Sequence, residues 1–373
     1  MARVFRRSAT VLFLVCINLV KCGRFEVSPI GIRCVRRYSD NEANPMSPVS
    51  SIEKAIHDPV LAEFELPLRR TFFFFGYPVE IETNSADVIA AADEGWGAFE
   101  QAFDDEPVRF CLGVRESGAE GMPAESVIRA REHVAVIVAD AENFALLDFE
   151  RGYGFGWVTQ STAADHPLLR YRFLISGPGM LVEQRAFAPL HGALVVRNGI
   201  GVMLAGDSFA GKSTLAYACA RAGWTYVSDD GAFLVRARED RLAVGDPHTI
   251  RFRPDAPQLF PELADRLPTV RPNGKIAIEV LTRELGLKTA ASCQVEHVVY
   301  LNREHPGPAH IRRVAKERIF EQWAQYSSYG TEEVRAAQRR GHRRMLDAEL
   351  WEMQYTGLDD AVARLERLVD AGA

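Results

Sequence analysis

The period of the hydrophobic pattern changes several times along the chain, and each change marks an element. Phe72-Phe73-Phe74-Phe75-Gly76 followed by Val79-Glu80-Ile81-Glu82 reads as a buried strand, a turn and an alternating strand. The four phenylalanines fit a core strand better than a partner surface, since large apolar side chains are mostly buried. From Ser85, a good helix cap, a helical period runs to residue 103. Residues 110–114, 133–138 and 143–149 return to strand patterning, with a Gly/Pro/Glu-rich loop over 116–126. Gly152-Tyr153-Gly154-Phe155-Gly156 is spaced G-x-G-x-G rather than G-x-G-x-x-G, and no capped helix follows, so it reads as a loop. Residues 46–160 therefore read as an α+β domain without a chemical constellation.

The second half carries the chemistry. A helix-like stretch over 167–185 leads to His191-Gly192-Ala193-Leu194-Val195-Val196, and Gly201-Val202-Met203-Leu204-Ala205 is a short apolar strand. Residues 214–222 read as a helix stopped by Gly223, and 224–227 as a second strand ending in Ser228-Asp229-Asp230-Gly231. Between the first strand and the helix stands Gly206-Asp207-Ser208-Phe209-Ala210-Gly211-Lys212-Ser213, a match to G-x-x-x-x-G-K-[ST] in the strand–helix context that the motif requires. Gly206 and Gly211 let the loop take conformations closed to side chains. Its N–H groups then surround a polyphosphate at the positive end of the helix dipole. Lys212 meets the β/γ-phosphate oxygens and Ser213 offers a hydroxyl to Mg²⁺. The expected nucleotide site is thus Gly206 through Ser213 with Thr214 in the first helical turn, and the expected cofactors are ATP and Mg²⁺. The hydrolase elbow G-x-S-x-G fails here, because Gly211 stands three residues beyond Ser208. Adjacent carboxylates at the end of a neighbouring strand, Asp229 and Asp230, can divide the remaining work, one holding the metal and the other taking a proton.

Beyond residue 235 the signals are weaker. Residues 248–253 read as a strand with Arg251 and Arg253 on one face, and Lys275 lies on a turn after Asn273-Gly274. Each of these cations suits either a phosphate or the solvent. Arg335, Arg339, Arg340, Arg343 and Arg344 lie in a helical region and read as a solvated face, with an acidic partner as the alternative. Residues 358–369 form an amphipathic final helix.

Composition bounds these readings. A chain of 373 residues predicts two domains, or one large core with an appendage. With 47% hydrophobic and 25% charged residues, collagen-like, mucin-like and wholly disordered chains are excluded. The net charge of −6 gives no general electrostatic reason to coat nucleic acid or an anionic membrane. The charge is uneven: residues 1–45 carry eight basic and three acidic side chains, and three of the six cysteines. That segment reads as a leader, either signal-like or a non-native start. Its apolar run over 9–20 would rise only about 18 Å as a helix, too short for a bilayer core of roughly 30 Å. The absence of an N-x-[ST] sequon favours a cytoplasmic protein. Cys111, Cys219 and Cys293 are widely spaced and form no C-x-x-C, so neither a disulfide framework nor a cysteine zinc site is expected in the main body.

His191-Gly192, the loop 206–213 and Asp229-Asp230 together resemble the HPr kinase/phosphorylase family. His191 precedes Lys212 by 21 residues and Asp229 follows it by 17, spacings similar to the family's own. Ala222-Gly223-Trp224-Thr225-Tyr226-Val227-Ser228-Asp229-Asp230 resembles its R-G-h-x-h-V-x-D-D stretch. The resemblance implies a P-loop kinase core of phosphoenolpyruvate carboxykinase-like type over 161–320; with the N-terminal α+β domain over 46–160 and a helical C-terminal extension over 321–373 that the pattern predicts, the expected fold class is α/β. It implies ATP- and Mg²⁺-dependent phosphorylation of a serine hydroxyl on a small protein or peptide, an HPr-like carrier among them, with homo-oligomerisation left open. By the same resemblance Asp229 is the acid/base carboxylate, Asp230 supports it or the metal alongside Ser213, and His191 orients the pair. The chain departs from the family at Phe209, where the family has glycine, and at Thr214, where it has glutamate. The rival readings are a small-molecule hydroxyl kinase and a regulatory protein that binds ATP without turnover.

Overall fold

The computed structural model describes residues 65–115, 126–302, 307–327 and 329–371. The leader over 1–45 and nearly all of the loop 116–126 lie outside the described residues. The first sheet has seven strands: β1 (Leu68–Phe74), β2 (Tyr77–Thr83), β3 (Val108–Arg115), β4 (Val127–Arg131), β5 (Val134–Val138), β6 (Phe144–Asp148) and β7 (Tyr153–Thr159). Their order is β1-β2-β3-β7-β6-β5-β4. The phenylalanine run turns at Phe75 and Gly76, both left-handed at φ 50° and 84°, as a two-residue hairpin requires. Phe72 and Phe74 are buried edge-on against Trp96 of helix α1 (Ala86–Trp96), with ring centroids 6.1 and 5.6 Å apart.

Three sequence expectations change here. Strand β2 does not alternate between core and solvent, for Val79, Glu80 and Ile81 are all buried. Glu80 is tolerated because Arg69 and Arg109 both pair with it. Helix α1 opens at Ser85 but ends at Trp96 rather than near 103. The Gly97 N–H returns to Asp93 O, and the chain then folds back so that Ala102 N–H reaches Gly76 O at 2.9 Å. The glycine-rich stretch 152–156 is largely strand, not loop. A Cβ on Gly154 would lie 2.7 Å from Leu147 and 2.8 Å from Phe110, and one on Gly156 would lie 2.2 Å from Phe144 O. These glycines answer close packing across the sheet rather than a turn.

The helix-like stretch over 167–185 is broken into pieces. α2 (Gln160–Ala164), α3 (His166–Leu169), a π-helical turn (Arg170–Leu174) and α4 (Gly177–Ala186) follow one another, and Pro178 fits the first turn of α4. Leu169, Phe173, Met180, Leu181 and Val182 from these pieces join the core of the first sheet.

The second sheet begins with β8 (Phe187–Arg197), β9 (Ile200–Ala205), β10 (Thr225–Ser228), β11 (Gly231–Val235) and β12 (Leu242–Gly245). A three-stranded sheet of β13 (Thr249–Phe252), β14 (Thr269–Val270) and β15 (Ile276–Leu281) interrupts it. β16 (Ser292–Asn302), β17 (His310–Arg313) and β18 (Glu349–Gln354) then complete it. β9 lies between antiparallel β8 and parallel β16, and β18 runs parallel to β16 on its other side. Helices α5 (Lys212–Arg221), α6 (Lys316–Ala324), α7 (Glu332–Met345) and α8 (Leu358–Asp370) cover this sheet. Val202 and Leu204 of β9 share a core with α5 and α8, whereas Met203 and Ala205 share one with α6 and α7. The alternation along one strand thus places a helix pair on each face. Phe75 meets Phe233 of β11 at 4.9 Å and ties the two sheets together. The fold is mixed α/β with several sheets. The segment 321–373 supplies α7, α8 and also a strand of the second sheet. Among the described residues, no helix is long and apolar enough to cross a membrane.

Candidate functional site

The site grows from the end of β9. After Ala205 the chain turns at Gly206, φ 146°, where a Cβ would lie 3.0 Å from Leu301 O. It turns again at Gly211, φ 93°, the residue that caps α5. Both glycines therefore stand where the backbone excludes most side chains. Phe209 takes φ 71° without being glycine, and it is 71% exposed with the Arg253 guanidinium 5.0 Å above its ring. A bulky residue held left-handed at the tip of such a loop is strained.

Lys212 folds back into the loop it follows. It is buried, and its Nζ donates to Gly206 O at 2.9 Å and Asp207 O at 3.1 Å. Burial lowers its pKa, opposed by the charges of Asp230 and Asp207. Ser213, one residue on, donates its hydroxyl to Asp229 O at 3.3 Å. Thr214 is half-buried in the same turn. Three side chains that no motif announced brace the loop. Gln322 of α6 donates to Gly206 O at 2.8 Å, and the Tyr300 hydroxyl of β16 donates to Asp207 Oδ2 at 3.0 Å. The Arg318 guanidinium lies 4.3 Å over the Tyr300 ring and pairs with buried Glu352 at 3.3 Å.

The two carboxylates sit on the turn between β10 and β11 and face different surroundings. Asp229 is 1% exposed, and its Oδ2 accepts the Arg251 N–H at 2.9 Å. Burial pushes its carboxyl up to about 7; the nearby Arg251 charge opposes this and Asp230 adds to it. Asp230 is more open, with Oδ1 3.3 Å from His191 Nδ1, and β8–β11 pairing sets His191 opposite Gly231. Burial and the Lys212 charge lower the His191 pKa, with Asp230 opposing. Lys212, His191 and Asp230 are thus within one another's fields. His191 and Asp230 also line a cavity of about 60 Å³ with Phe233, Tyr326 and Glu183, and the Tyr326 ring is 5.4 Å from the imidazole. Asp229 is not among its walls.

The remaining sequence candidates separate. Arg251 is held by its ion pair with Glu279 at 3.2 Å. Arg253 stands at the loop tip over Phe209, and the Lys275 charge reaches His191. The arginines of α7 are not simply a solvated face: Arg335 and Arg339 pair with Glu332, and Arg344 donates to Val235 O at 2.8 Å. The donors beside the loop are a hydroxyl and carboxylates, the hard oxygens that Mg²⁺ takes together with phosphate oxygens and water. A glycine-turned loop at the N-terminus of α5, an ammonium at its base and such donors fit a magnesium-bound polyphosphate.

No family model matches the chain, and no curated protein matches it. Among solved structures it is similar to the Hpr(Ser) kinase/phosphatase from Coxiella burnetii, at 15% identity and a TM-score of 0.26. That match covers 49% of this chain and 98% of the other, and is a distant structural resemblance and no more.

Proposed function

We propose that the chain is an ATP-dependent phosphotransferase of HPr kinase-like type that moves the γ-phosphoryl group of ATP to a serine hydroxyl of a small protein or peptide. One observation carries this reading: Lys212 and Ser213 close the loop that leaves β9, Ser213 bonds the Asp229 backbone, and Asp230, beside His191, acts on the Lys212 charge. The Lys212 ammonium bonds two loop carbonyls. Phosphate oxygens are stronger, charge-assisted acceptors and would draw it outward. The loop N–H groups and the α5 dipole bind the phosphates. Ser213 and Asp230 would hold Mg²⁺, which neutralises charge developing on the transferred group.

A carboxyl near 7 accepts and returns a proton at neutral pH, which favours Asp229 as the proton acceptor. His191, held against Asp230, orients the second carboxylate, and the two line the small cavity beside the loop. Phe209, exposed and strained at the loop tip, is an aromatic anchor for a macromolecular acceptor. The protein incubated with γ-labelled ATP, Mg²⁺ and a host lysate tests the reading. A labelled protein or peptide supports it and a labelled small molecule moves it to a small-molecule kinase. Nucleotide binding without transfer makes the chain a sensor.

A further inference from the structure

We infer that the chain carries a second ligand site, for a small aromatic acid, at the end of the second sheet opposite the phosphate loop. The loop leaves the C-terminal end of β9. At the other end of the parallel strands β9, β16 and β18, between the sheet and α8, lies a cleft of about 820 Å³. That is the size of clefts that hold ligands of several rings. Its floor is a fixed indole. Trp351 is half-buried, and its Nε1–H donates to Nδ1 of the buried His297 at 3.2 Å. Ile200, Ile311 and Leu368 add apolar wall.

The charges decide the class of ligand. The two acids in the cleft are already answered: Glu349 pairs with Arg313, whose guanidinium lies 3.9 Å over the Trp351 ring, and Glu296 pairs with Arg241 at 2.6 Å. Arg364 and Arg367, three residues apart and therefore on one face of α8, line the same cleft. Neither has a carboxylate partner among the described residues, because Glu366 and Asp370 of α8 turn to Arg197. Two guanidinium groups without a carboxylate partner among the described residues, sharing a cleft with an indole and aliphatic wall, select an apolar ring body with an anionic group. None of the lining residues belongs to the surroundings of the loop, so the site is separate from the one above.

The test uses the full chain and two probes with the same ring system: 8-anilinonaphthalene-1-sulfonate, and its neutral relative N-phenyl-1-naphthylamine. The sulfonate is expected to bind one saturable site with energy transfer from tryptophan, at least tenfold more tightly than the neutral amine. Trp351→Phe should remove most of that energy transfer while binding persists. Arg364→Glu with Arg367→Glu should weaken the sulfonate tenfold or more, with thermal unfolding checked in parallel. Saturating MgATP should not displace it. Equal binding of the neutral probe, undiminished energy transfer in Trp351→Phe, unchanged affinity in the charge-reversed protein, or displacement by MgATP would each overturn the inference.

Discussion

Replacing Asp229 with asparagine should stabilise the protein at neutral pH while removing phosphoryl transfer. The carboxyl is wholly buried and moved from 3.8 to about 7. A raised acid pKa means that the folded state holds its proton over a range where the unfolded chain has lost it, so stability falls as pH rises through that range. At 1.36 kcal/mol per pKa unit, the charged form is disfavoured in the folded state by about 4 kcal/mol above neutrality. The penalty is smaller in acid, about 2 kcal/mol near pH 5, so about 2–3 kcal/mol of stability should be lost between roughly pH 5 and pH 8. Asparagine keeps an oxygen for the Arg251 N–H, but its amide adds donors that the carboxylate did not have, and each one left unpaired costs about 1–3 kcal/mol. That cost lowers the variant's stability at every pH and leaves the slope alone. Glu183, also raised to about 7, titrates in both proteins and cancels in the comparison. Urea unfolding of both proteins across that pH range measures the difference in slope. Transfer from labelled ATP, with MgATP affinity measured alongside, should fall about 10²–10⁴-fold in the variant. Equal slopes would refute the raised pKa, and a variant active near the wild-type rate would refute the role of Asp229 as proton acceptor.

Asp230→Asn should slow transfer and raise the Mg²⁺ concentration needed for half-maximal rate, because the variant loses a metal-side charge and its link to His191; a Mg²⁺ titration of the transfer rate checks this. Tyr300→Phe removes the hydroxyl that anchors Asp207. At about 1 kcal/mol for one hydrogen bond, MgATP affinity should drop about fivefold by calorimetry, with the fold intact. Gly156→Ala drives a Cβ to 2.2 Å from Phe144 O and should destabilise the first sheet by roughly 3 kcal/mol or more, read by denaturant unfolding.

What the sequence revealed and what it hid follow from the range of the interactions involved. The strand, loop and helix over 200–221 were legible because the motif is contiguous and its glycines answer local backbone demands. The carboxylate pair was legible as a pair. That Asp229 turns inward to Arg251 while Asp230 faces His191 depends on how β8, β11 and β13 meet, and no local pattern encodes it. The braces Gln322, Tyr300 and Arg318 come from about 90–115 positions further along the chain and belong to no motif. The glycines of β7 misled because glycine ordinarily signals a turn. Here the neighbouring Phe110 and Leu147 side chains and the Phe144 carbonyl leave no room for a Cβ. Strand β18 was hidden as a six-residue segment between two helices, with Glu352 buried by Asn302, Arg312 and Arg318.

Titration of MgATP into the full chain and into its Lys212→Ala variant, followed by calorimetry, tests the central claim most directly. Lys212 is buried by the loop it bonds to, and outside that role it makes no ion pair among the described residues. With about 1.5–3 kcal/mol per charge-assisted hydrogen bond, the wild type should bind one MgATP and the variant should bind it at least tenfold more weakly, with the fold retained. A wild type that takes up no MgATP, or a variant that binds it equally well, would contradict the assignment of the loop 206–213 as a polyphosphate site.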